Sequence, residues 1–223
     1  MTGGEFALLE GASPDETREL LDRARRRRFG PGEIVFHAGD PADSLHFVRS
    51  GRFAVRIVTE FGDVATLNVL GPGQAFGELA LLSPEEPRSA TVAALEAAET
   101  LSLHQIDFNR LREQRPQTDG VLVQILSAQV RRLSSHLVEA LYLPADTRVR
   151  RRLLDVAAVY GSAEAGAVVP LTQEDLASLA GTSRATVNKV LREEEERGTI
   201  ALGRGKTTVL DPAALERRAR TFG

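Results

Sequence analysis

Residues 172–200 read TQEDLASLAGTSRATVNKVLREEEERGTI. Thr172-Gln173-Glu174-Asp175 has the [ST]-x-x-[DE] spacing of a capping box, in which a hydroxyl and a carboxylate satisfy free backbone N–H groups at a helix start. The apolar LASLA that follows predicts a short helix. Gly181 permits the left-handed backbone that ends it in a sharp turn, and Ser183 is placed to cap a second helix. On that second helix Val187, Val190 and Leu191 face inward, while Arg184, Thr186, Asn188, Lys189 and Arg192 project outward. Two helices joined by a short turn containing glycine form a helix-turn-helix.

Such a second helix fits the major groove of DNA, N-terminal residues first. Arg184, in its first turn, can grip guanine O6 and N7 with its fork. Downstream, Gly198 ends the helix, and Thr199–Leu202 and Lys206–Leu210 bracket the turn Gly203-Arg204-Gly205. That pattern predicts a β-hairpin wing holding Arg204 and Lys206 near phosphates. The candidate DNA contacts are therefore Thr172, Ser183, Arg184, Ala185, Thr186, Asn188, Lys189, Arg204 and Lys206. The acidic run Glu193–Glu196 does not suit DNA and is assigned to the solvent or partner side. An ordinary helical hairpin is the bland alternative.

Upstream lies the amphipathic TRVRRRLLDVAAVYG, stopped by Gly161, then the polar SAEAGAVV. Pro144 disfavours helix at Leu143, and Asp146 is placed to cap a new helix, so a domain boundary is expected near Pro144. From about Pro116 to Leu143 the apolar period is helical. Val123, Leu126, Val130, Leu133, Leu137 and Ala140 follow the 3-4 spacing of a heptad seam. The seam packs either on the chain's own sheet or, as its narrowness favours, on a twin helix in a homodimer. Between Glu33 and Leu103, β-rich runs alternate with Gly, Pro and Asp turns about every ten residues, the texture of an all-β sandwich or barrel. At the front, Ser13-Pro14-Asp15-Glu16 reads as a helix start, and the helix is expected to run through Arg25–Arg28 as a solvated end.

The remaining arithmetic mostly excludes. The chain has 223 residues, 42% apolar and 26% charged, with net charge −3, enough for a real core and no generic polyanion binder. Residues 1–143 hold 15 Lys/Arg against 20 Asp/Glu, and residues 144–223 hold 13 against 11. An acidic front and a mildly basic back suggest two domains with different partners. There is no cysteine, which excludes disulfides, thiolate zinc, cysteine-held iron–sulfur clusters and a cysteine nucleophile. The four histidines, His37, His46, His104 and His136, form no local metal motif. No apolar run reaches the roughly 20 residues of a membrane span, and the acidic N-terminus is no signal peptide. A soluble cytoplasmic protein that is not an enzyme, with no cofactor and no metal, is expected.

The second informative stretch is FGELALLSPEEPRSATV, Phe76 to Val92. It has the chemistry of an anion cradle. Gly77 lets the backbone approach a ligand, and successive N–H groups form a nest for phosphate. Arg88 supplies a planar cationic fork, and Ser89 adds a hydroxyl donor. Glu78 can accept from a sugar hydroxyl or orient Arg88. A structural Glu78–Arg88 bridge bracing an empty pocket is the competing reading.

Together these motifs, in this order, resemble the cyclic-AMP receptor protein/FNR family of bacterial transcription regulators over nearly the whole chain. The cassette Phe76-Gly77-Glu78-Leu79-Ala80-Leu81 with Arg88-Ser89-Ala90 is similar to that of members that bind a cyclic nucleotide. The resemblance implies an α+β chain: a β jelly-roll sensor (1–116), a dimerisation helix (117–143) and a winged helix-turn-helix (144–223). It implies that Gly77 and Ser89 donate to phosphate, Leu79 lies in the same cassette, Arg88 is the counter-charge and Glu78 takes the ribose 2′-hydroxyl. Ser134, Ser135 and His136, after Arg131-Arg132-Leu133, stand near the positions that meet adenine in cyclic-AMP responders. Ala185 stands where the family's cyclic-AMP receptors carry an acid, so the preferred DNA site is expected to differ there. The implied partners are palindromic double-stranded DNA, a second copy of the chain and RNA polymerase, with no membrane. The implied effector is a small anion, cyclic AMP or another cyclic nucleotide. An effector-independent regulator with a vestigial pocket, and a regulatory module of an enzyme or channel, are the alternatives.

Overall fold

The structure, a computed structural model, describes residue 6 and residues 14–60, 62, 64–83, 85–114, 119–161 and 166–220. Ser13 and Pro116, invoked above, lie outside them. The chain divides into two compact units: residues 1–57 with 70–133, and residues 58–69 with 134–223.

The N-terminal half runs α1 (Pro14–Arg23), β1 (Arg25–Phe29), β2 (Ile34–Phe36), β3 (Ser44–Ser50), β4 (Phe53–Val58), β5 (Val64–Leu70), β6 (Ala75–Phe76), α2 (Leu79–Leu82), β7 (Thr91–Ala94), β8 (Ala98–His104) and α3 (Gln105–Gln114). The strands form two four-stranded sheets, β1-β8-β3-β6 and β2-β7-β4-β5. The inner core joins both sheets through Phe29, Val48, Phe53, Phe76, Val92 and Ala94. On the other face of the first sheet, Leu45, Phe47, Leu101 and Leu103 pack with Leu20, Leu21, Phe108 and Leu111 of the helices. Period-2 alternation explains the division: on β3, Leu45 and Phe47 face the helices, while Ser44, His46 and Val48 face into the roll. β3 is buried on both faces because both are covered.

One expectation is corrected here. Arg25–Arg28 is not the end of a helix. It is most of strand β1, in antiparallel register with β8 from Arg25↔Ser102 to Phe29↔Ala98. The reason is non-local. Phe29 anchors the strand in the core at 4% exposure, and one carboxylate, Glu99, serves Arg26, Arg28 at 3.4 Å and Arg49 at 3.2 Å. Hydrogen bonding from Arg26 and the surrounding guanidinium charges hold the Glu99 carboxyl below its ordinary value, against a smaller push upward from burial.

A 24-residue helix, α4 (Asp119–Tyr142), follows. In the single chain its seam residues Val123, Leu126, Val130, Leu133 and Leu137 are all exposed.

Beyond it come α5 (Ala145–Tyr160), β9 (Ala167–Val169), α6 (Gln173–Ala180), α7 (Arg184–Glu196), β10 (Ile200–Gly203), β11 (Lys206–Val209) and α8 (Pro212–Ala219). The strands make one sheet, β10-β11-β9. Val149, Leu153, Leu176, Val187, Leu191, Ile200 and Leu215 are buried at 3% exposure or less. Pro144, not Asp146, occupies the N-cap of α5, with no side-chain capping bond. Asp146 instead bonds Arg150 one turn on, at 2.8 Å. Strand β9 and helix α8 add to the sequence reading.

Candidate functional site

Arg88 is the centre of the cassette. Its backbone is pinned in both directions by the turn before β3: Arg88 N donates to Asp40 O at 2.8 Å, and Gly39 N donates to Arg88 O at 2.9 Å. The side chain turns inward and is 4% exposed. Nη1 donates to Ser44 O at 2.8 Å and Gly77 O at 3.4 Å. Nη2 donates to Asp43 Oδ1 and to Ser44 Oγ, both at 3.1 Å. The guanidinium carbon lies 4.1 Å from the Phe36 ring centroid, a cation–π contact in a dry setting. Nε is buried with no partner in the structure.

Gly77 is required here for two reasons. Its φ is +79°, and a Cβ would stand 2.8 Å from Arg88 Nη1 and 2.9 Å from Ser44 O. Below the guanidinium, His46 stacks on Phe76 with centroids 5.0 Å apart and planes 1° from parallel. Its ring nitrogens meet Ser44 Oγ at 3.2 Å and Thr100 Oγ1 at 3.1 Å. Burial, then the nearby Arg88 and Arg27 charges, lower the His46 pKa to about 3 against a smaller opposing pull from Asp43. The ring is therefore a neutral spacer beneath the cation.

Glu78 does not bridge Arg88. Its Oε1 accepts from Gln129 Nε2 of α4 at 3.3 Å, and it acts on Arg88 as a more distant charge. The carboxylate that does bind Arg88 is Asp43. Burial tends to raise Asp43, but the Ser44 hydroxyl, Arg88 and His104 outweigh it and hold the carboxyl below its ordinary value. Leu79 is 44% exposed, and Ser89, next to Arg88, is exposed. Ser134, Ser135 and His136 belong to the other compact unit. Gln129 of α4 meets the cassette, at Glu78. The sequence reading missed Asp43, Ser44, His46 and Gln129. Only His46 and Ser44 left a signal, as polar residues alternating with Leu45 and Phe47 on a strand.

The helix-turn-helix is built from local capping. Thr172 Oγ1 accepts from Asp175 N at 3.1 Å, while Asp175 Oδ2 accepts from Thr172 N at 3.3 Å. Gly181 caps α6 at φ 59°, ψ 48°. Ser183 Oγ accepts from Thr186 N at 3.1 Å. Arg148 of α5 clamps the turn, with Nε on Ala180 O at 2.9 Å and Nη2 on Gly181 O at 3.0 Å. Val187, Val190 and Leu191 of α7 are buried, while Arg184, Ala185 and Lys189 are exposed and Thr186 and Asn188 half-buried. Asn188 Oδ1 accepts from Arg192 Nε at 2.8 Å. On the wing, Gly203↔Lys206 closes a two-residue turn, leaving Arg204 and Lys206 exposed.

The acidic run is not all on the solvent side. Glu194 is 0% exposed, where it accepts from Arg150 Nε at 2.8 Å and Thr199 Oγ1 at 2.7 Å and pairs with Arg218. A buried carboxylate needs such partners. It anchors the end of α7 to α5 and α8.

The comparisons agree with both halves. A cyclic nucleotide-binding domain matches residues 26–115, and a Crp-like helix-turn-helix domain matches residues 147–218. The chain is 34% identical over 209 residues to a cyclic AMP receptor protein of Thermus thermophilus, covering 94% of each. It superposes with a TM-score of 0.74 and 26% identity on a CRP/FNR-family transcriptional regulator from the same organism, over 89% of this chain and 100% of that one. A glutaminase of Bradyrhizobium diazoefficiens is 41% identical over 123 residues, but the match covers 55% of this chain and 19% of that enzyme. With both domains matched in order and a relative aligned nearly end to end, the chain belongs to the Crp/Fnr family of DNA-binding transcriptional regulators.

Proposed function

We propose that the chain is a cytoplasmic, non-enzymatic homodimer that binds a palindromic DNA site under control of a cyclic nucleotide. The sensor spans 1–116, the dimerisation helix 117–143 and the DNA-reading domain 144–223. The observation that carries the reading is Arg88: a buried cation with an unused Nε donor, beside a glycine that tolerates no side chain. Burying a guanidinium is costly, and an effector phosphate gives it a function. Gly77 and Ser89 then donate to the phosphate, and Glu78 accepts from the ribose 2′-hydroxyl. Paired α4 seams place two α7 helices about 34 Å apart, one DNA turn. Arg184 and Lys189 face the groove, with Arg204 and Lys206 toward phosphates and RNA polymerase as the onward partner. The effector acts by binding one pre-existing state better than the other.

A second reading, DNA binding without effector, is favoured by one observation: Arg88 is already engaged by Asp43 and Ser44. Calorimetry of the full chain against cyclic AMP, cyclic GMP and cyclic di-GMP, paired with DNA-binding titrations, separates the two. The proposal expects one nucleotide to bind, to strengthen DNA binding, and to lose affinity by at least about 100-fold in Arg88→Leu, the scale of a lost charge-assisted fork. DNA binding that no nucleotide alters establishes the second reading.

A further inference from the structure

We propose that Arg148 is a positioning residue for DNA reading, a single guanidinium that fixes the turn before α7 to the end of the long helix α4. It stands one turn into α5, half-buried. Nη1 donates to Leu143 O, the carbonyl just past α4, at 2.8 Å. Nε donates to Ala180 O at 2.9 Å and Nη2 to Gly181 O at 3.0 Å. Those two carbonyls close α6, in the turn that leads into α7. The last carbonyls of a helix have no partner within it, and they carry the negative end of its dipole. Two such ends, from α4 and α6, converge on one cation. No carboxylate pairs with Arg148 among the described residues, so its side-chain hydrogen bonds go to backbone oxygen alone.

Local capping does not account for this arrangement. Gly181 N donates to Ser178 O at 3.1 Å and Thr182 N to Ala177 O at 3.0 Å, so the turn makes its own left-handed C-cap. Arg148 adds a tie across 32 and 33 residues of sequence. Glu139 of α4 holds Arg151 at 3.0 Å and also Arg152, which joins α4 to α5. Arg148 carries that connection on to the reading turn. Ser183, two residues beyond Gly181, caps α7 through Thr186 N. A shift at Gly181 therefore moves the N-terminal end of α7, the end that enters the groove. The inference rests on the reading of α4 as the dimer helix. In a dimer, the angle of each α7 to the paired α4 helices decides which half-site spacing both readers fit. Lysine is no equivalent, since three carbonyls are met by three nitrogens of one rigid plane.

The test uses the full chain, which has no cysteine. Spin labels are placed by Val138→Cys on α4 and Glu196→Cys on α7, both exposed. Labelled chains are diluted in unlabelled ones so that each dimer carries one pair, and double electron–electron resonance reads the spread of distances. The wild-type background is expected to give a narrow distribution and Arg148→Ala a broad one. Arg148→Lys, which keeps the charge and guards against a folding defect in the alanine variant, is expected to fall between them. DNA binding is then measured on a half-site and on palindromes whose half-sites are spread by one base pair. Spreading is expected to cost wild type about 100-fold and Arg148→Ala no more than about tenfold, because linkage counts only where both readers engage together. Half-site affinity is expected to stay within about twofold of wild type. Distances as narrow in both variants as in wild type overturn the proposal. So does a loss in Arg148→Ala that is equal on the half-site and on every spacing that wild type discriminates, the mark of a merely structural residue. Broadened distances in the variants, with no spacing preference even in wild type, uphold Arg148 as the link and remove the paired reading of DNA alone.

Discussion

His46 shows how a single buried ring supports the cassette. It is 1% exposed, and its two nitrogens are both used, one by Ser44 and one by Thr100. Because burial and two guanidinium charges lower its pKa to about 3, the folded protein keeps it neutral while the unfolded chain protonates it near pH 6.5. Below that pH the unfolded state binds more protons, so stability falls on acidification. The contribution is complete above pH 6.5 and erodes through the window down to about pH 3, by at most about 1.4 kcal/mol per pH unit. His46→Gln keeps an amide donor and acceptor at the same height without a titrating group. Urea denaturation midpoints between pH 7 and 5 are expected to slope less steeply in the variant, and an unchanged slope removes His46 as the cause.

The elements differ in how openly the sequence declares them. α6 and α7 were legible because their boundaries are made by neighbours in the chain: Thr172 with Asp175, Gly181 alone, Ser183 with Thr186. α8 carries the same kind of local signal, Asp211 accepting from Ala214 N at 2.8 Å with Pro212 following it. β1 was not legible, since RRRR has no strand pattern of its own. Its pairing comes from β8, and its charges are balanced by Glu99, far away in sequence. Asp43 escaped for the same reason, sitting 45 residues from Arg88, whereas Gly77 and Arg88 fall within one short motif. The DNA-reading element has a test of its own. Ser183→Ala removes the α7 cap and is expected to cost about 1 kcal/mol of stability. Arg184→Ala is expected to leave stability unchanged and to cost about 1–3 kcal/mol of DNA affinity, confined to one base pair per half-site. Thermal melts and binding to a panel of single-base operator variants separate the two effects. A uniform loss across the panel assigns Arg184 to a phosphate instead.

At the scale of the molecule, the apolar seam of α4 is exposed among the described residues. Leu126 is 44% exposed, Leu133 55%, Leu137 59% and Val130 61%, and such a sustained apolar seam is the kind that pairs helices. On the proposed reading, pairing lets a chain with one groove-reading helix select a long DNA site. Two linked readers raise the effective concentration of the second contact, multiplying affinity by about 10²–10⁴ without any new interaction. Val130→Asp places a charge in the seam, away from the hydrophobic cores of both units. Sedimentation velocity is expected to show a single chain in place of a dimer. Affinity for a palindrome should then fall to that for an isolated half-site, while half-site affinity itself stays within twofold or so of wild type, because α7 and its caps are untouched. If the variant remains a dimer, or if half-site binding collapses with the palindrome, the seam is not the element that joins the two readers.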